Sequence, residues 1–404
     1  MHRSTDRILT THAGSLPRPD ELIASNRARL TGEAVDEAVF RSRLEDAVHD
    51  VVDRQAALGL DVPNDGEYGH SMGAKVDYAA WWTYVFERLG GTELADVDLM
   101  GMPPQRSEPG HVRLTSFSDR RDRVQFRDAY EDPRSGVMMG RPAARFPVVT
   151  APLTYVGHEA VQRDIANVKA AMDASGVREG FLNSVAPGSC ARFADDYYHD
   201  EEAFLGACAA AMREEYTAIV EAGLILQLDD PCIAENWDQI NPAPSVEDYR
   251  RFTMLRVEAL NEAIRGLPAD RIRFHLCWGS WHGPHVTDIP MRDIVDVMLS
   301  IDAGAYMFEA GNVRHEHEWK VWRDVRLPEG KIVMPGVVSH ATNVVEHPEV
   351  VADRIVRYAE GVGRENVVAS TDCGLGGRVH PQIAWAKLGS LVEGAELATK
   401  RLWS

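Results

Sequence analysis

The chain has 404 residues, 45% of them apolar, enough for a large domain with a real core. Its formal net charge of −19 argues against nucleic acid or an anionic membrane as the main partner. No apolar run reaches the ~18 residues of a membrane span, and the opening "MHRSTDRILTTHAGS" lacks a signal-peptide stretch. Five cysteines, spread from Cys190 to Cys373, form no disulfide framework, so a reducing cytoplasm is expected.

In chain order, "RILTTHAGS" (7–15) reads as a strand and leads to a helix through "DEAVFRSRLEDAVHDVVDRQAAL". "DVPNDGE" (61–67) is the second strand. Residues 68–145 break the rhythm, with an aromatic cluster "DYAAWWTYVFERL" and an alternating stretch "HVRLTSF…RVQFRDAY" that reads as a β-hairpin. "FPVVTAP" (146–152) precedes the helix "GHEAVQRDIANVKAAMDAS", and "GFLNSVAPGS" (180–189) precedes "DEEAFLGACAAAMREEYTAIVEAG". "LILQLDDP" (224–231) leads to "SVEDYRRFTMLRVEALNEAIRG", and "RIRFHLC", "AYMFEAG", "KIVMPGVV" and "NVVASTDCG" follow as strands. The helices repeat apolar residues at i, i+3, i+4 and i+7, whereas the strand runs are short and β-branched.

Alternation of this kind predicts parallel strands with helical crossovers, closed as a TIM (β/α)8 barrel. Nine candidate strands compete for eight places, so one unit is an insertion or an N-terminal extra. The chain is expected to be a single domain over 1–404, with 68–145 a long insertion after the second strand, over the barrel mouth.

Side chains at the C-terminal ends of barrel strands surround the active site. Those positions hold Ser15, Asp65, Glu67, Asp229, Asp230, His275, Cys277, Glu309, Asp372 and Cys373. Most are acids, which are costly to bury together without a cation or a donor network. His275 and Cys277 are two apart in a strand and face one way, and imidazole with thiolate is a zinc-type pair. A buried cysteine beside a hydrogen-bonded histidine is the plainer reading until Glu309 and Cys373 join them from two other strands. His282 and His285 fall in the following loop, where a solvated or supporting role is expected. Cys190, Cys208 and Cys232 read as small core residues. "GLGG" (374–377) lacks the Lys-Ser/Thr of a phosphate loop, and Trp81 and Trp82 suit either stacking on a donor or packing of the insertion.

Taken in order, "LTTHAGSLPRP", "NDGEYG", "LQLDDPCIAE", "HLC", "FEAGNVRHEHEW" and "STDCGLGG" resemble the catalytic barrel of cobalamin-independent methionine synthase. "CWGSWHGPH" and "RHEHEW" are similar to the short single-barrel branch of that superfamily, which includes epoxyalkane:coenzyme M transferases. The resemblance implies zinc (Zn2+) held by His275, Cys277, Glu309 and Cys373. It also implies that an amino-acid thiol would meet Ser15, Glu67 and Asp229, with Glu235 toward the methyl donor. The family's catalytic histidine follows a "GVxD" turn; here the segment reads "GVVSHATN", with His340 one residue early. The full-length synthase carries a second, N-terminal barrel that helps hold a polyglutamated folate, and this chain is expected to have no room for one.

The expected activity is alkyl transfer to sulfur, with a small thiol activated as a zinc thiolate. Two cysteinates and a carboxylate make an electron-rich set that suits a reactive thiolate better than acidification of water. Methyl transfer to homocysteine leads, and epoxide opening by a coenzyme M-like thiol is the alternative. A non-catalytic metal-bound barrel would leave Glu67, Asp229 and Asp230 without a purpose. Glu67 and Asp229 suit an ammonium group, whereas a sulfonate needs cations, for which Arg18, Lys75 and Arg314 are candidates. The alkyl donor, methyl-folate or another, and homo-oligomer formation are left open by the sequence.

Overall fold

The computed structural model describes residues 1–73, 80–95, 103–137, 146–192 and 194–404, and for 80–83 and 146 the backbone alone. Among them the strands are β1 (Leu9–Thr10), β2 (Leu89–Ala95), β3 (Phe146–Tyr155), β4 (Phe181–Val185), β5 (Ala194–Asp195), β6 (Ile225–Asp230), β7 (Ile272–Leu276), β8 (Ala305–Glu309), β9 (Ile332–Val338) and β10 (Val368–Thr371). Seven form one sheet in the order β1-β10-β9-β8-β7-β6-β4, every neighbouring pair parallel. The eighth place is taken by an extended segment. Val62 N donates to Thr10 O (3.1 Å), Phe181 N donates to Pro63 O (3.1 Å), and Asn64 bridges Phe181 in parallel. Residues 61–64 thus stand between β1 and β4 and complete the expected barrel; Pro63, which has no N–H, helps keep their ladder short.

Helices cover the outside and are bounded by their sequence. Asp36 accepts from Ala38 N and Val39 N to start Glu37–Leu58, and Gly59 ends it at φ 97°. Asp200 and Ser245 cap Glu201–Glu221 and Val246–Ile264 in the same way. Their apolar stripes meet the outer face of the sheet in the main core, which includes Leu44, Val48, Met212, Tyr216, Leu260 and Leu388. Each such side chain contributes about 1.5–3 kcal/mol on burial. A separate small cluster holds Leu9, Ala13, Ala305, Met307, Ile332, Met334 and Val368. Among the described residues no helix is long and apolar enough to cross a membrane.

Two expectations need correction. "FPVVTAP" is the surplus strand: β3 lies outside the barrel, antiparallel to β2 and parallel to β5 in a three-stranded sheet. The extra layer after the second strand therefore runs past residue 145, because a short β-branched run is equally at home in either sheet. The hairpin expected over 111–130 is instead a 3-10 turn (Phe117–Asp119) and two short helices, Arg121–Gln125 and Arg127–Glu131. Among the described residues its alternation finds no partner strand. It is held instead by Arg120, fully buried against Glu235 (2.6 Å) and Asp238 (2.8 Å). Lys75 and the side chains of Trp81 and Trp82 lie outside the described residues.

Candidate active site

β7 aims His275 inward, Cys277 follows just past its end, and Cys373 follows β10. One ligand atom from each of His275, Cys277 and Cys373 lies within 4.8 Å of the other two. The two sulfurs are 4.0 Å apart, and Gly279 N donates to Cys277 Sγ (3.3 Å). The hydrogen bond from the Cys277 thiol lowers the Cys373 pKa to about 6 despite burial, with help from His275 and Arg378. The same bond, with burial, pushes Cys277 well up.

The His275 ring is fixed at both nitrogens, Nδ1 2.7 Å from Asp229 Oδ1 and Nε2 3.2 Å from the Asp372 carbonyl. Burial alone would lower its pKa, but Asp229, through both bond and charge, and Cys373 raise it to about 9. Glu309, at the end of β8, accepts from Trp278 N (2.9 Å) and Asn312 Nδ2 (2.7 Å). The same Asn312 amide donates to Asp372 (2.9 Å), whose other oxygen accepts from Ala310 N and Gly311 N, each at 2.7 Å. Glu309 groups with His340 and Asp372, their ligand atoms again within 4.8 Å, rather than with the His–Cys–Cys trio. Burial raises its pKa to about 8, with Asp372 and Cys373 adding to the rise and His315 and His285 opposing it. The structure therefore brings three of the four expected ligands together and sets the fourth in an adjoining buried cluster that includes His340.

The expected substrate residues lie around the ends of β1, the 61–64 segment and β6. Gly14 is where they meet: a Cβ there would lie 2.3 Å from Glu67 Oε1 and 2.4 Å from Asn183 Nδ2. Gly66 (φ 68°) and Glu67 (φ 60°) are both left-handed, and Asp65 Oδ1 accepts from Glu67 N (2.9 Å) to hold the turn. Burial and the neighbouring Asp229 carboxylate push the Glu67 pKa well up, against Arg18. Asp229 also accepts from Asn183 (2.8 Å) and Gln227 (2.8 Å). Ser15 O accepts from Leu375 N (2.9 Å) and Gly376 N (2.8 Å), so "GLGG" is a packing turn against the β1 loop.

Other expected residues serve different ends. Glu235 is gripped by Arg120 (2.6 Å) and Arg192 (3.0 Å), whose charges overcome burial and hold its pKa below the usual range. Asp230 is buried and caps the following turn, accepting from Ser189 Oγ (2.8 Å) and Cys232 N (3.1 Å). His282 Nε2 lies 3.2 Å from the His340 carbonyl, and His285 pairs with Asp288 (3.1 Å). Arg314 donates to Val286 O (2.8 Å). Cys190, Cys208 and Cys232 are fully buried. Sequence reasoning missed Asn183 and Asn312. The signal for Asn183 was a polar residue inside the apolar run "GFLNSV"; Asn312 had none beyond its place three residues after Glu309.

Residues 138–397 match the family model described as "Cobalamin-independent synthase, Catalytic domain". The chain is 25% identical to a methionine synthase of Saccharolobus solfataricus over 397 residues, covering 97% of this chain and 95% of that one. It is 23% identical to a methionine synthase of Thermococcus kodakarensis over 399 residues (97% and 94%). Among solved structures, a B12-independent methionine synthase from a Shewanella species, in complex with selenomethionine, aligns with a TM-score of 0.69 at 20% identity. That alignment covers 98% of this chain and 99% of the other. A putative B12-independent methionine synthase from Listeria monocytogenes aligns with a TM-score of 0.62 at 17% identity (96% and 98%).

Proposed function

We propose, from the premise that this chain belongs to the family of cobalamin-independent synthases, that it transfers a methyl group to the sulfur of homocysteine or a related small thiol. The observation that carries the reading is the convergence of His275 and Cys277 from the end of β7 and Cys373 from the end of β10 on one point. A set of imidazole, two sulfurs and a nearby carboxylate suits zinc rather than magnesium or calcium, so His275, Cys277, Glu309 and Cys373 would hold it. Zinc bound there would supply the positive charge that keeps a small thiol deprotonated near neutral pH.

The chain's own groups do the rest. Asp229 fixes the His275 ring through Nδ1, and Asn312 fixes the Glu309 carboxylate. Glu67 and Asp229 would receive the ammonium of an amino-acid thiol, and Ser15 its carboxylate. Glu235, held by Arg120 and Arg192, would face the donor, methyl-folate or another methyl carrier. The relatives named as methionine synthases, and the Shewanella complex with selenomethionine, support an amino-acid thiol. Epoxide opening by a coenzyme M-like thiol is not favoured, because the relatives are named as methionine synthases. The whole of 1–404 would work as one barrel unit, in a cytoplasm reducing enough to keep its five free cysteines.

Metal analysis should find about one zinc per chain. Cys277→Ser or Cys373→Ser should remove both zinc and methyl transfer to homocysteine, while Cys190→Ser and Cys208→Ser keep both. A protein that binds magnesium alone, or equal losses in all four variants, would reject the assignment.

A further inference from the structure

The loop after Cys277, "WGSWHGPH", is a roof. Trp278 N donates to Glu309 beneath it, Ser280 Oγ accepts from Arg378 Nε (2.9 Å) and Nη2 (2.7 Å), and His282 reaches the His340 carbonyl (3.2 Å). His340 follows β9 and Arg378 follows β10, and β8 and β9 stand between β7 and β10 in the sheet. The loop therefore passes over the ends of the strands that carry Glu309, His340 and Cys373.

What holds this roof comes from outside the barrel. Trp281, buried, is its keystone, and the loop is shaped to it. A Cβ on Gly279 would fall 1.9 Å from the Trp281 ring, and one on Gly283 2.2 Å from its Nε1. The Arg120 guanidinium lies 4.1 Å from the centroid of the Trp281 ring, and the His285 ring packs against it, tilted by 32°, with ring centroids 4.2 Å apart. Trp281 Nε1 donates to Tyr130 Oη (2.8 Å), which itself donates to Asp122 (2.8 Å), and Asp122 accepts from Val286 N (3.1 Å). Arg120, Asp122 and Tyr130 all belong to the segment between the second and third barrel strands.

We propose that this segment, through Arg120 and Tyr130, is a positioning element that holds the 278–288 roof down over Cys277 and sets the wall an incoming donor meets. Tyr130 acts through Trp281, and Arg120 acts through Trp281 and through its ion pair with Glu235. The proposal rests on the reading that Cys277 belongs to the reacting site, but its test needs no substrate.

The test is the rate at which a small maleimide labels each cysteine of the full chain, read residue by residue by peptide mass spectrometry. Arg120→Gln removes the charged stack and the Glu235 tie, and Tyr130→Phe removes only the hydroxyl between Trp281 and Asp122. Each should speed labelling of Cys277 by about tenfold or more through local opening, while Cys190, Cys208 and Cys232 stay as slow as before. Should Arg120→Gln fail to fold, Tyr130→Phe decides alone. Unchanged Cys277 labelling overturns the proposal, and so does equal acceleration at all the buried cysteines, which would mean general loosening. Absence of methyl transfer in the wild-type protein would reject the functional reading and leave this labelling result standing.

Discussion

Asp229 shows how one carboxylate can be claimed by two roles. Its position at the end of β6 suits the ammonium of an amino-acid substrate, yet its Oδ1 sits 2.7 Å from His275 Nδ1 and its oxygens also accept from Asn183 and Gln227. A carboxylate behind a metal-binding histidine fixes the ring and its tautomer, and its loss costs ~10- to 100-fold in metal affinity. Asp229→Asn should therefore weaken zinc binding by at least about tenfold. Zinc affinity and homocysteine affinity, measured on the same variant, decide between the roles. Intact zinc with weakened homocysteine would return Asp229 to substrate recognition, where a charge-assisted bond is worth ~1.5–3 kcal/mol. Glu67 carries no such ambiguity among the contacts seen here: its left-handed backbone and its approach to Gly14 serve the mouth of the barrel.

Between strands and helices, the loops at the carboxyl ends hold the site and hydrogen-bond one another. His285 and His315 both pair with Asp288, at 3.1 and 3.0 Å, and the His315 ring packs at a tilt against Trp278, 4.2 Å between ring centroids. Burial opposes the charge on each imidazole, but Asp288, helped by Glu309 and, for His315, by Glu318, outweighs it, and the two pKa values rise from 6.5 to about 9 and about 10. Burial likewise opposes the Asp288 charge, yet the histidines draw its pKa down from 3.8 to about 2. The raised histidines stabilise the fold fully below pH 6.5, and that contribution fades as pH climbs through about 9 and 10. The depressed aspartate contributes above pH 3.8 and fades as pH falls through about 2. The melting temperature of the wild-type protein should thus decline from neutral pH toward pH 10, and Asp288→Asn should flatten that decline. Parallel slopes for the two proteins would show that the triad is not the cause.

At the scale of the whole molecule, the layer outside the barrel is anchored through one buried acid. Glu215, on Glu201–Glu221, accepts from Arg88 (2.9 Å), from Ser184 (2.8 Å) and from the hydroxyls of Tyr84 and Tyr155, and Arg88 also reaches Asp164 (2.6 Å). Glu215→Ala would remove one of the two carboxylates paired with the buried Arg88 and the shared acceptor of three hydroxyls, so stability should fall by about 3–5 kcal/mol. Urea unfolding checks this, and a loss below about 1 kcal/mol would mean that Asp164 alone suffices for Arg88. Periodicity and the polar ends of apolar runs made the barrel legible, along with the places where His275, Cys277, Glu309 and Cys373 would stand, because a strand end is a local property of the chain. Which strand was surplus was not legible: β3 and the barrel strands share one composition, and only the partner each finds distinguishes them. The helices at 121–131 were hidden for a related reason, since the Arg120 charge that pins them is balanced by Glu235 and Asp238, more than a hundred residues away. Sequence by itself determined the barrel and the chemical types at its mouth. Tertiary structure decided that Glu309 sits with His340 and Asp372, that Asp229 backs His275, and that an outside segment holds the roof, because each depends on distances between residues far apart in the chain.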